Sequence, residues 1–122
     1  DETAKNFFEI NKTASIPRKK TIIWNIVPWY IGSGKKIRAA NPGDIKQGLS
    51  YLNRLLSLLP RLKVIVLVGK KAQKNLHELQ ESHKNIVILT CYHPSPVFVN
   101  RKRKNRQLIA NQLKKVNKLT GK

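Results

Sequence analysis

The chain is poor in acidic residues, cysteine and methionine. Its 122 residues include six Asp or Glu, one cysteine and no methionine. A single cysteine excludes an internal disulfide, a Cys-rich zinc site and a four-cysteine iron–sulfur cluster. We therefore expect no metal and no cofactor, and we expect Cys91 to be a small buried residue in a reducing compartment.

Long apolar runs are also missing. No segment approaches the roughly 18–20 consecutive apolar residues that a membrane-spanning helix needs, and no signal-peptide pattern is found. Because a translation product begins with methionine, the start at Asp1 predicts a processed or partial chain.

What is abundant is positive charge. The 25 Lys and Arg residues outnumber the acids so far that the formal net charge is +19. Residues 10–43 and residues 82–122 contain no acid at all. Two long acid-free stretches predict a continuous positive face, and the natural partner of such a face is a polyanion, above all a nucleic acid. A generally basic proteome is the alternative explanation.

Apolar periodicity divides the chain into alternating elements. Helices are predicted over four segments, 2–14, 44–60, 70–82 and 105–119. Strands are predicted over three β-branched or apolar runs, 21–27, 63–69 and 85–90. The pattern predicts one α/β domain over residues 1–122, a three-layer sandwich with a central parallel sheet of three strands and helices on both faces.

The apolar stripes of the two longest helices predict which side chains are buried. The first stripe consists of Ile45, Leu49, Leu52, Leu56 and Leu59, and the second of Leu108, Ile109, Leu113 and Val116. Ligands of such folds bind at the carboxyl ends of the strands. These ends lead into loops after Val27, Val68 and Thr90.

The first of these ends carries Asn25, which lies inside a predicted strand although asparagine is depleted there. A planar amide offers one acceptor and two donors, which suits the edge of a pyrimidine. The alternative is a structural asparagine whose side chain bonds to neighbouring backbone.

The third end carries "TCYHPSPVFVN", residues 90–100, one of the more unusual stretches of the chain. Two prolines stiffen the turn around His93, whose imidazole could donate to an oxygen that becomes negative. The alternative is a histidine that only ends a strand. His77 and His83 have no metal-ligand pattern around them, and we expect both at the surface.

Apolar residues and cations follow this turn directly. Val97 and Phe98 could belong to the core, or they could form a wedge that unstacks bases. The cations Arg101, Lys102 and Arg103 could be a solvated helix start or a clamp for phosphates. At the second strand end, "VGKK" lacks the spacing of a nucleotide-binding phosphate loop, but its lysines, Lys70 and Lys71, could contact DNA.

Three motifs together resemble the uracil-DNA glycosylase superfamily. "HPSPVFVN" at 93–100 resembles that family's His-Pro-Ser-Pro turn and wedge, "WNIVPWYIG" at 24–32 its asparagine-bearing strand, and "VIVLVGKKAQ" at 65–74 its central strand and turn. The resemblance is closest to bacterial proteins without an iron–sulfur cluster. It implies a cytoplasmic, nucleoid-associated monomer that flips uracil out of DNA and hydrolyses its glycosidic bond in base excision repair.

The same resemblance implies roles for individual residues. Asn25 would read the uracil edge, and His93 would donate to the uracil oxygen as the base leaves. Ser95 and Pro96 would grip the DNA backbone, and Val97 would be the wedge, a weaker one than the leucine usual there.

One family motif has no counterpart in the chain. The first motif, which supplies the water-orienting residue and a stacking aromatic, would precede residue 1. The sequence therefore leaves three functions open, namely a glycosylase, a non-catalytic DNA-binding protein on the same fold, and a basic RNA-binding protein.

Overall fold

The computed structural model describes residues 2–33, 36–37, 39–95, 101 and 103–120. Its helices are α1 Glu2–Thr13, α2 Pro42–Ser57, α3 Gly69–Gln73, α4 Leu76–Ser82 and α5 Arg103–Thr120, with a short 3₁₀ turn at Arg18–Lys20. Its strands are β1 Gly32–Ser33, β2 Lys36–Ile37, β3 Val64–Val68 and β4 Val87–Cys91.

Two of the strands form the parallel sheet. β3 pairs with β4 in a register that runs from Val64 opposite Val87 to Val68 opposite Cys91. β1 and β2 form a small antiparallel pair in the segment expected to be a loop. The carboxyl ends of β3 and β4 therefore meet at one edge, as the sequence predicts for a parallel sheet.

Helices cover both faces of this sheet. On one face Ile10 of α1 and Ile109 of α5 form a core with Cys91, and Val66 and Val68 of β3 pack against it. On the other face β3 contributes Leu67 and Ile65 to a core with residues from α2 and α4, among them Leu49, Leu52, Leu56 and Leu79. Because alternate residues of β3 enter opposite cores, the α/β class and its three layers are confirmed.

The third predicted strand is absent from the described structure. Residues 21–27 form no strand, and the side chains of Ile22 and Ile23 are 59% and 75% exposed. A strand is stabilised only by ladder bonds to a neighbour, and in the described sheet β3 is bonded to β4 alone. β-branched composition by itself therefore gave a wrong prediction here.

The end of this segment is nevertheless held in place. The carbonyl oxygen of Ile26 lies directly against the Cα of Gly48 in α2, where a β-carbon would overlap it. Val27 is 5% exposed, and Ile26 packs on the core beneath α2. Glycine at position 48 thus lets the chain before the loop that follows Val27 approach helix α2.

The helices differ from prediction in smaller ways. The helix expected over 70–82 is two helices, separated at Lys74 and Asn75. In α5 Ile109 and Leu113 are buried as predicted, whereas Leu108 is 43% exposed because it falls beside the apolar stripe. No helix among the described residues is long and apolar enough to cross a membrane.

Candidate active site

The loop after β4 brings His93 onto the end of β3. Gly69, the first residue of α3, has φ +85°, and a β-carbon there would lie 3.2 Å from Cβ and 3.4 Å from Cδ2 of His93. Only glycine combines this backbone angle with such close approach. The imidazole of His93 therefore rests on the backbone where β3 ends, and it remains exposed to solvent.

A polar network from two distant helices holds the loop that carries His93. Asn6 of α1 is 4% exposed, and its Nδ2 donates to the carbonyl oxygen of Pro94 at 3.2 Å. Arg106 of α5 donates to Oδ1 of Asn6 at 3.3 Å and forms an ion pair of 3.1 Å with Glu9. Pro94 itself is buried. The backbone next to His93 is thereby fixed to α1 and, through Asn6, to α5.

Side chains also hold the last residues of β4. Gln73 of α3 donates to the carbonyl oxygen of Cys91 at 3.1 Å, and Gln112 of α5 donates to that of Thr90. The thiol of Cys91 is buried as predicted, and burial raises its pKa to about 11. Cys91 therefore acts as a neutral core residue beneath the site rather than as a nucleophile.

Asn25 lies in a loop, not in a strand. Its Oδ1 accepts a hydrogen bond of 3.1 Å from the backbone N–H of Val27, which makes a local turn. Its side chain is exposed. The backbone bond foreseen as an alternative is thus present, and the predicted reading of a pyrimidine edge stays a prediction.

The structure describes the side chains of only some of the cations that are predicted to bind DNA. Lys70 and Lys71 are exposed on α3, directly after Gly69, and Nζ of Lys71 donates to the carbonyl oxygen of Ala40 at 2.9 Å. Arg101 is exposed, and Ser95 is half-buried beside Pro94. Pro96, Val97, Phe98 and Lys102 lie outside the described residues, as does the side chain of Arg103.

Comparison with known protein families gives a match over most of the chain. A profile of the family described as "Uracil DNA glycosylase superfamily" matches residues 1–117. The chain belongs to the uracil-DNA glycosylase superfamily. No curated protein and no solved structure matches it.

Membership in this superfamily confirms the resemblance drawn from the motifs, and it assigns the chain to a group of DNA-repair hydrolases whose substrate is DNA. Within the described residues no group of three or more His, Cys, Asp or Glu side chains could hold a metal ion.

One site residue, Asn6, was not predicted from the sequence. Asn6 is four residues before Ile10, so both occupy the buried face of α1. A polar residue on an apolar stripe requires a partner, and this pattern would have marked Asn6. Its partners, Pro94 and Arg106, are 88 and 100 residues away, which no local pattern reveals.

Proposed function

We propose that this superfamily member is a uracil-DNA glycosylase, which flips uracil out of DNA and hydrolyses its bond to deoxyribose. The observation that carries the proposal is the placement of His93 at the joined carboxyl ends of β3 and β4, in a chain that belongs to this superfamily. A glycosylase needs a donor held rigidly where negative charge forms on the leaving base. The hydrogen bond from Asn6 to the carbonyl oxygen of Pro94 would supply that rigidity.

The chemistry assigns distinct tasks to the residues. The bond between C1′ of deoxyribose and N1 of uracil breaks, and its electron pair leaves with the base. His93 donates a hydrogen bond to the uracil oxygen on which the negative charge accumulates. A water oxygen bonds to C1′ and releases one proton, and the exposed amide of Asn25 reads the base edge.

The same proposal covers DNA binding. Lys70 and Lys71 are exposed next to Gly69, and Arg101 is exposed two residues before α5. These side chains would contact phosphates without regard to sequence. A net charge of +19 supports binding to a polyanion. A cytoplasmic, nucleoid-associated location agrees with this function and is part of the proposal.

The decisive measurement is uracil release from single-stranded and mismatched double-stranded DNA by the full natural protein. His93→Ala should reduce kcat by about 30- to 1000-fold, because it removes roughly 2–4 kcal/mol of transition-state stabilisation. His77→Ala is the matched control, since His77 is an exposed histidine on α4. Equal activity of the two variants would remove His93 from the mechanism.

One observation favours a second candidate, a non-catalytic DNA-binding protein on the same fold. A glycosylase needs a group that orients the attacking water. Two carboxylates of the described residues are already engaged, Glu9 with Arg106 and Asp44 in the capping box of α2. This candidate predicts salt-dependent DNA binding, equal affinity for uracil-containing and normal DNA, and no base release. Tighter binding to structured RNA than to DNA at matched salt would instead favour an RNA-binding protein.

A further inference from the structure

A groove of about 190 Å³ lies between the first turns of α2 and the start of α4. Its apolar part is formed by Ile45 and Leu49. Two exposed lysines, Lys46 and Lys74, and one carboxylate, Glu78, complete the polar lining. The lysines exceed the carboxylate by one charge, so the groove favours an anion over a neutral or a cationic ligand.

Asn75 supplies the observation that points to a ligand. It lines the groove and is 4% exposed, and its Nδ2 is a buried side-chain atom without a hydrogen-bond partner among the described residues. It stands at the N-cap of α4, yet its side chain makes no capping bond. Buried amides are almost always paired, so an unpaired N–H₂ on a residue that lines this groove calls for an acceptor oxygen.

The groove belongs to the same edge of the sheet as His93. His93 lies on Gly69, at the start of α3, and Lys71 of α3 donates to Ala40, which lies just before α2. The groove begins at Pro42, the first residue of α2. A nucleic-acid strand that passes His93 can therefore continue over the start of α2 without leaving this edge of the sheet.

We propose that this groove binds one sugar–phosphate unit of a nucleic-acid strand, away from the nucleotide whose base His93 would contact. A phosphodiester carries a single negative charge, which matches the excess charge of the lining, and its oxygens accept from the two lysines and from Asn75. The apolar face of the sugar lies over Ile45 and Leu49. The assignment rests on the proposed DNA binding.

The first test compares two double variants in fluorescence titrations of single-stranded DNA over a range of salt concentrations. Lys46→Gln with Lys74→Gln should weaken binding and lower the slope of log Kd against log salt by about 1. Lys63→Gln with Lys84→Gln removes the same charge next to the amino ends of β3 and β4, and its slope should fall less. Equal slopes for the two double variants would overturn the proposal.

The second test separates a binding role of Asn75 from a structural one. Asn75→Leu has a similar volume and removes the unpaired donor, so the free protein should unfold at an unchanged or higher temperature while DNA affinity falls several-fold. Unchanged affinity in a variant of equal or greater stability would overturn the proposal. If this variant does not fold, the salt titration of the Lys46→Gln and Lys74→Gln double variant decides whether the groove binds DNA.

A small-molecule probe keeps this test independent of the proposed function. Dimethyl phosphate should shift the side-chain amide resonances of Asn75, and inorganic phosphate should shift them less. If the wild-type protein binds no DNA, the proposed function fails. The response to dimethyl phosphate still tests whether the groove binds a phosphodiester. Absence of a response to dimethyl phosphate, or a preference for inorganic phosphate, would overturn the phosphodiester assignment.

Discussion

Removal of the Asn6 side chain should destabilise the protein and loosen the loop that carries His93. Asn6→Ala takes a donor from the carbonyl oxygen of Pro94 and an acceptor from Arg106. A neutral hydrogen bond contributes about 0.5–1.5 kcal/mol, and one to a charged group about 1.5–3 kcal/mol. The second figure is reduced here because the side chain of Arg106 is 41% exposed.

Together these bonds predict a loss of about 2 kcal/mol in the free energy of unfolding. For a domain of this size such a loss lowers Tm by roughly 5–10 °C. The assay is urea denaturation followed by circular dichroism, with Asn11→Ala as the control. Asn11 lies on the same helix and is half-buried, and alanine there should cost little because it favours helix.

The loop should respond more strongly than the rest of the molecule. Hydrogen exchange at the amides of His93 and Ser95 should accelerate at least about tenfold in Asn6→Ala, because local opening no longer breaks the bond to Pro94. A double-mutant cycle with Arg106→Ala should give a coupling of about 1 kcal/mol. An Asn6→Ala variant as stable as Asn11→Ala, with unchanged exchange in the loop, would refute the assigned network.

Three further predictions follow from backbone contacts and from burial. Gly69→Ala should lose about 1–3 kcal/mol of stability, because φ +85° strains alanine, and the urea midpoint measures this loss. The β-carbon of alanine also meets His93, and uracil release measures the effect of that contact. Gly48→Ala should destabilise by about 2 kcal/mol or more in the same denaturation assay, since its β-carbon overlaps the carbonyl of Ile26. Burial raises the pKa of Cys91 from 9.0 to about 11, so the stability that its neutral thiol contributes is complete below pH 9 and lost as pH rises through 11. The pH dependence of the urea midpoint should therefore be flatter over that range in Cys91→Ala, and equal pH dependence in the two proteins would contradict this origin.

The superfamily and the site loop could be predicted from short motifs. The His-Pro-Ser-Pro turn around His93 and the strand before Gly69 are contiguous in the chain, so their chemistry can be identified without the fold. The helical stripe of α2 was equally predictable, because Ile45 and Leu49 follow the 3.6-residue period.

The strand predicted over residues 21–27 shows why local pattern was not sufficient. β-branched residues favour a strand, but a strand exists only where a neighbour accepts its hydrogen bonds. Ile22 and Ile23 are exposed instead, and Asn25 lies in a turn. The prediction at Leu108 failed for a related reason, because the face of α5 that is buried depends on its packing against α1 and β4.

The amino-acid sequence by itself determined the charge of the protein, its three longest helices, the strands β3 and β4 and the family to which it belongs. These properties depend on composition, on short periods and on contiguous motifs. Only the tertiary structure decided that Asn6 and Arg106 hold the loop of His93, that Gly69 supports its ring, and that Nδ2 of Asn75 has no hydrogen-bond partner among the described residues. Such contacts join residues far apart in the chain, and folding alone brings them within hydrogen-bonding distance.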